Sequence, residues 1–183
     1  RAQPKVGIQN DVNGFPRAGA VALLDRNVPF LWMGINATNG GSPFRQPSAF
    51  WWKMHEERTL DYPRPRLISF IRCNNLLIEG ITLTNSPSWT LHPYACENVT
   101  VDKTTIHNPP DSPNTDGINP ESCCNVHISN CHIDVGDDCI TLKSGTEEGD
   151  REALSPCENI TITNCTMVHG HGGVVIGSEM SGG

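Results

Sequence analysis

The sequence has no apolar run approaching the ~18 residues that a bilayer-spanning helix needs, which excludes a helical membrane protein. It has no basic excess either: 13 Lys and Arg against 20 Asp and Glu give a net charge of −7, so the basic stripe of a nucleic-acid binder is missing. None of its eight cysteines forms a Cys-x-x-Cys pair, which argues against a structural zinc site. There is no initiator Met, no signal peptide and no opening coil; Arg1 starts the chain, which reads as an internal fragment with open β-edges at both ends. What remains is a globular composition, 37% hydrophobic and 18% charged over 183 residues, long enough to build a core without a disulfide framework.

A repeat is present. Cys73-Asn74-Asn75-Leu76-Leu77-Ile78, Cys96-Glu97-Asn98-Val99-Thr100-Val101, Cys123-Cys124-Asn125-Val126-His127-Ile128 and Cys157-Glu158-Asn159-Ile160-Thr161-Ile162 all read Cys-x-Asn-apolar-x-apolar. The Asn spacings of 23, 27 and 34 residues are too uneven for a helical repeat but suit coils joined by loops of different length. Alternation in runs such as Asn-Val-Thr-Val is a strand signal. Short strands repeated every twenty-odd residues bury their apolar face only by stacking, so the fold class is all-β, a parallel β-helix or solenoid. In such a stack one position recurs about 4.8 Å above its predecessor. Asn side chains then hydrogen-bond up the stack, and the reduced, buried Cys two residues earlier form an apolar ladder; Cys131 and Cys165 share a second phase, and a disulfide at Cys139 is left open.

Residues 1–183 form one domain on this reading, with an irregular part over 1–65 and regular coils over 66–183. In the irregular part Val21-Ala22-Leu23-Leu24 is a buried strand, and the stretch beginning Trp51-Trp52 is a short helix or a loop covering the coil edge. Its tandem Trp pack against the coils in preference to stacking on sugar rings. Pro63-Arg64-Pro65-Arg66 is an extended link. Four Asn-x-Ser/Thr sequons occur; Asn98 and Asn159 sit on the ladder, where a glycan would break the core. Asn36 is the fair surface acceptor.

Phase alignment brings chemistry together. Asp137 lies 12 residues after Asn125 and His171 lies 12 after Asn159, so the two are vertical neighbours. Treating 108–113 as an inserted loop pairs Ile118 with Ile140 and sets Asp116 beneath Asp138. Three carboxylates and an imidazole then share one patch, where like charges raise at least one pKa and divide acid from base roles, as glycoside hydrolysis requires. Adjacent strand residues point to opposite faces, so Asp137 and Asp138 both reach a groove only at a bend, which Gly136 permits. Lys143 is a candidate to offset the acidic field for an anionic substrate, with a solvated surface lysine as the plain alternative.

Asn114-Thr115-Asp116-Gly117, Gly136-Asp137-Asp138-Cys139 and Gly170-His171-Gly172, in that order, resemble the polygalacturonase-like glycoside hydrolases of family 28. The resemblance runs from about Trp51 onward and takes in Ser86-Pro87-Ser88-Trp89-Thr90-Leu91-His92-Pro93 and Gly177-Ser178-Glu179-Met180-Ser181-Gly182-Gly183. It implies a right-handed β-helix that hydrolyses α-1,4-galacturonosyl linkages of pectin with inversion, Asp137 acting as general acid, Asp116 and Asp138 activating water, and His171 orienting or tuning the acid. It further implies a pectic polysaccharide as partner, no cofactor, no metal, no nucleic acid or membrane partner, a monomer at full length, and secretion, or the periplasm for a bacterial source. The family's Arg-x-Lys motif for the substrate carboxylate does not occur before Gly183. The competing readings are a calcium-dependent β-helical lyase, a hydrolase of another pectic backbone such as rhamnogalacturonan, and a non-catalytic carbohydrate-binding helix.

Overall fold

The computed structural model describes residues 48–61, 63–146 and 155–183 in full, and the backbone of 5–7, 21–23 and 30–33. Three short strands come first, β1 (Lys5–Gly7), β2 (Val21–Leu23) and β3 (Phe30–Met33), followed by α1 (Ser48–Glu56). The coils begin after it. The first holds β4 (Ile68–Ile71), β5 (Asn74–Glu79) and β6 (Thr82–Thr84), and the second β7 (Leu91–Tyr94), β8 (Glu97–Asp102) and β9 (Thr105–His107). The third has β10 (Cys124–Ser129) and β11 (His132–Asp134), preceded by bridges at Ile118 and Glu121. The fourth has β12 (Ile140–Leu142), β13 (Glu158–Thr163) and β14 (Thr166–Met167), and β15 (Val174–Ile176) opens the next.

Like strands of successive coils pair in parallel, β5-β8-β10-β13 on one face and β6-β9-β11-β14 on a second. On the third face, β4 pairs with β7 and β12 with β15, and the bridges Leu91 to Ile118 and Ile118 to Ile140 join the two pairs. The early strands add to this stack antiparallel, β2 on β5 and β3 on β4. This is a parallel β-helix, as the repeat predicts, with the right hand that the resemblance implies.

Its core is built from ladders of identical register. Leu76, Val99 and Val126 form one; Ile78, Val101 and Ile128 another; Leu83, Ile106 and Ile133 a third; Leu91, Ile118 and Ile140 a fourth, all buried. The Cys ladder is also inward: the amides of Cys73, Cys96 and Cys123 each donate to the Sγ of the next coil's Cys at 3.4 Å. All eight cysteines are free thiols, Cys139 included, and burial pushes the Cys131 and Cys139 thiols up to about 11.

The Asn ladder corrects an expectation. Asn75, Asn98, Asn125 and Asn159 all adopt left-handed backbone, with φ of 55 to 57°, where the strand turns a corner. Asn tolerates this region because its side chain can bond locally. Their amides do link coil to coil at 3.0 Å, Asn125 to Asn98 and Asn159 to Asn125, but on the solvent side of the corner. A glycan on Asn98 or Asn159 would therefore break this outer ladder, not the core. Asn36 lies outside the described residues.

The helix covers the coil edge by way of its tandem Trp. Trp51 is buried, and the half-buried Trp52 donates Nε1 to the Ser86 carbonyl at 3.0 Å, so both rings pack toward the coils. At the opposite end of the stack β13, β14 and β15 have no further strand paired beyond them among the described residues, and Val174 and Ile176 are more than half exposed. Such an edge is a template for a further strand.

Truncation in a ladder separates inner from outer contributions. Ile128→Ala, at a site with no exposure, should cost about 2–5 kcal/mol in urea unfolding. Asn125→Ala, which loses the left-handed preference and two outer hydrogen bonds, should cost about 1–2 kcal/mol. The reverse ranking would contradict an apolar ladder as the main source of stability.

Candidate active site

The site begins at the loop 108–117, which leaves β9 and must return in register with β7. Buried Asn108 anchors it: Oδ1 accepts from the Ser86 amide at 2.8 Å, and Nδ2 donates to Thr90 Oγ1 at 2.8 Å and to the Thr115 carbonyl at 3.1 Å. Ser112 and Thr115 hydroxyls meet at 2.6 Å, and the Gly136 amide donates to Thr115 Oγ1 at 3.3 Å. This lattice fixes Asn114 and Asp116 before any ligand arrives, the pre-organisation that an electrostatic site requires.

Gly136 supplies the expected bend. A Cβ there would sit 2.3 Å from the Ser112 carbonyl oxygen and 2.6 Å from that of Pro109, so no larger residue fits. Gly170, at φ 121°, is equally constrained: a Cβ would sit 2.4 Å from the Asp137 carbonyl oxygen. The register is the anticipated one. The Gly117 amide donates to the Asp138 carbonyl at 2.9 Å, Ile118 bridges Ile140, and the His171 amide donates to the Asp137 carbonyl at 3.2 Å.

The structure therefore brings Asp116, Asp137, Asp138 and His171 to neighbouring positions on three coils. Ligand atoms of Asp137, Asp138 and His171 all lie within 4.8 Å of one another. His171 Nδ1 is 3.3 Å from Asp137 Oδ1, which also accepts from the Asp138 amide at 2.9 Å, while Asn114 Nδ2 donates to Asp137 Oδ2 at 3.4 Å. Asp116 is the buried member, its Oδ2 accepting from Asn119 Nδ2 at 2.8 Å and Thr141 Oγ1 at 3.4 Å. His169, two residues before His171, turns away to Asp134 at 2.8 Å.

Burial and then the nearby Asp137 charge raise Asp116 to about 6, against the Asn119 hydrogen bond and the Lys143 charge, which favour ionisation. Asp138 is raised for the same two reasons and opposed by Lys143 and His171. A crowded, partly desolvated carboxylate cluster holds protons to higher pH than free aspartate does.

Lys143 departs from the plain alternative, a solvated surface lysine. It is buried, and its ammonium is taken by Glu179 Oε2 at 2.5 Å and the Gly177 carbonyl at 3.1 Å. It acts on the acids through its field and holds Glu179. Register alone places Lys143 on the outer face; the partner that buries it arrives from a segment 36 residues later.

Sequence reasoning missed three participants. Arg64, read as part of a link, donates Nη1 to the Pro87 carbonyl at 3.2 Å and also to that of Pro113, and Nη2 to Asn114 Oδ1, tying the link to the loop that carries Asp116. Asn119 holds Asp116, and its own Oδ1 is buried without a donor. His92, fully inside the third face, places Nε2 2.6 Å from Glu121 Oε2. The one local signal was for His92, which lies in the run Ser86 to Pro93 that carries the resemblance, although its role was not read from it.

A parallel β-helix with three carboxylates and an imidazole on successive coil registers defines the class: a β-helical protein with a site built for acid and base chemistry. Within that class the chain belongs to the glycosyl hydrolases family 28, whose profile matches residues 32–183. It is 42% identical over 151 residues to a probable polygalacturonase of Vitis vinifera, covering 82% of this chain and 30% of that protein. It is 32% identical over 146 residues to an endo-polygalacturonase of Pectobacterium carotovorum, 78% of this chain and 35% of that one. Among solved structures, a hyperthermoactive exopolygalacturonase of Thermotoga maritima superimposes with a TM-score of 0.62 at 37% identity, covering 79% of this chain and 35% of that one. The polygalacturonase of Erwinia carotovora gives 0.63 at 32% identity, with coverage of 71% and 34%. The chain thus spans about a third of the length of the relatives it matches.

The titration of Asp116 has a definite sign. Because its folded pKa stands above the ordinary value of 3.8, ionisation opposes folding. That cost is absent well below 3.8, where both states are protonated, and is complete once the pH has passed the folded value near 6. Asp116→Asn should therefore melt higher than the parent at about pH 8 and equally at about pH 2.5, and carboxyl NMR should show one aspartate with a midpoint near 6. A stability gain at low pH alone would reverse the assignment.

Proposed function

We propose that the protein hydrolyses α-1,4-galacturonosyl linkages of polygalacturonate by an inverting acid and base mechanism. The observation that carries this reading is the grouping of Asp116, Asp137, Asp138 and His171 on adjacent coil registers in a chain of family 28. The names of the relatives, endo- and exo-polygalacturonases, support the substrate class.

In this mechanism Asp137 protonates the glycosidic oxygen. It is more accessible than buried Asp116, and His171 and Asn114 flank its two oxygens at 3.3 and 3.4 Å, holding the carboxyl in place. Asp116 and Asp138 activate the water that attacks from the other side of the sugar ring, and His171 orients Asp137 and feels its charge. The raised pKa of Asp116 favours a second assignment in which Asp116 is the acid and Asp137 a base. A galacturonide with an aryl leaving group needs little protonation, so it restores the rate when the acid is removed and not when a base is removed. Restoration in Asp116→Asn in place of Asp137→Asn would establish the second assignment.

Extracellular action follows from a substrate that lies in plant cell walls, and a monomer is the expected state. Among the described residues no helix is long and apolar enough to cross a membrane.

Incubated with polygalacturonate in excess chelator, the protein should release reducing ends with no absorbance from unsaturated sugars. Asp137→Asn should slow this about 10²–10⁴-fold. Unsaturated products or a requirement for calcium would replace hydrolysis by β-elimination.

A further inference from the structure

A cleft of about 790 Å³ opens beside the acids, lined in part by Arg64, Arg66, Ser69, Trp89, Asn114 and Glu179. Asn114 joins it to the cluster, since its Nδ2 also contacts Asp137 Oδ2 at 3.4 Å. Three of the charged groups around the cleft are committed elsewhere. Arg64 donates to the Pro87 and Pro113 carbonyls and to Asn114. Glu179 is held by Lys143 at 2.5 Å, and Glu121 by His92 at 2.6 Å.

Arg66 is different. Its guanidinium carbon lies 4.4 Å from the centroid of the Trp89 ring, and the side chain is half-buried. Among the described residues it donates no hydrogen bond, although the carboxylates of Glu121 and Glu179 act on it at longer range. The half-buried guanidinium gives up part of its hydration, and none of its five N–H donors has an acceptor among the described residues, so a carboxylate entering the cleft meets open donors. The guanidinium fork matches a planar carboxylate with two parallel hydrogen bonds, and the indole fixes the cation without using those donors. Lys143 Nζ lies 4.7 Å from the same ring centroid, so Trp89 serves as a holder of cations and not as a sugar platform.

We propose that Arg66 is the carboxylate-binding group of a subsite for a uronic acid unit of the substrate, in the cleft that adjoins Asn114 and Asp137. The subsite rests on the polygalacturonate reading above and adds to it a site formed by the link 63–66 ahead of the coils. It also answers the charge problem: a protein of net charge −7 receives a polyanion where Arg64 and Arg66 locally offset the field.

The test is calorimetric binding of trigalacturonate and of its methyl-esterified counterpart to the full protein carrying Asp137→Asn, which halts turnover. The free acid should bind about 10-fold or more tighter than the ester, the margin shrinking with added salt. Arg66→Gln should remove most of that margin with ester binding kept, and Arg66→Lys should retain part of it. In the active protein, Arg66→Gln should raise KM for polygalacturonate more than it lowers kcat. Equal binding of acid and ester, no binding of either, or an unchanged margin in a folded Arg66→Gln protein would each overturn the subsite. Where Arg66→Gln fails to fold, the acid-to-ester margin, its salt dependence and its partial loss in Arg66→Lys decide. Turnover of polygalacturonate by the parent protein is scored separately: intact turnover with an unchanged margin removes only the subsite, and absent turnover removes the hydrolase reading.

Discussion

Every other contact depends on the backbone hydrogen bonding of one coil to the next. That ladder has a repeat of about 4.8 Å and permits no slippage by one residue, because a slip would send each apolar side chain to the opposite face. Once Ile118 bridges Ile140 and Ile140 pairs Val174, Asp116 must lie by Asp138, and Asp137 by the residue of the following coil that turns out to be His171. The acids are thus close because the core ladders are in register, and core stability is spent on bringing like charges together. Asp116 and Asp138 are raised first by the burial that this register imposes and then by the Asp137 charge beside them.

The same ladder explains how much could be read from the sequence. The coil corners are local: Asn at left-handed φ and the Cys two residues before it write their own period, which made the fold and the strands from β5 to β13 legible. Counting from those Asn residues also brought Asp137 and Asp138 beside His171, and allowing for the loop 108–113 brought Asp116 to the same cluster. What failed to show was contact made across the stack. The ladder Asn read as core because phase gives a shared direction without saying whether that direction is inward. Lys143 read as open because its acceptor, Glu179, comes from a segment beyond β15. Arg64 and Arg66 read as linker because nothing in Pro-Arg-Pro-Arg says that the link folds back over the loop 108–117. Register is written in a repeating sequence, whereas the covering of the outer face comes from segments outside the repeat.

That outer face is where specificity has its physical basis. On the third face the inward residues Leu91, Ile118 and Ile140 are interchangeable aliphatics, while the outward ones at matched registers, His92 with Asn119 and Thr141, or Tyr94 with Glu121 and Lys143, are all different. A solenoid repeats its core and varies its exterior, so a groove along the stack can change character from coil to coil without disturbing the fold. The acids occupy one end of this face and the cationic link the other, with Asn114 touching both through Arg64 and Asp137.

This arrangement bears on how an acidic protein meets an acidic polymer. Long-range repulsion between the two is screened over about 10 Å at moderate ionic strength, so the encounter is governed by nearby charges and not by the total of −7. Near the cleft those charges are Arg64, Arg66 and Lys143 against Glu121 and Glu179, and both glutamates already face a cation or an imidazole. The positive side chains there also lower the cost of ionising the carboxylates: Lys143 acts in that direction on both Asp116 and Asp138. On the function proposed above, Arg64 and Arg66 draw a carboxylate-bearing chain toward the groove, while the Lys143 charge keeps the acid cluster from holding its protons too tightly to act as a base.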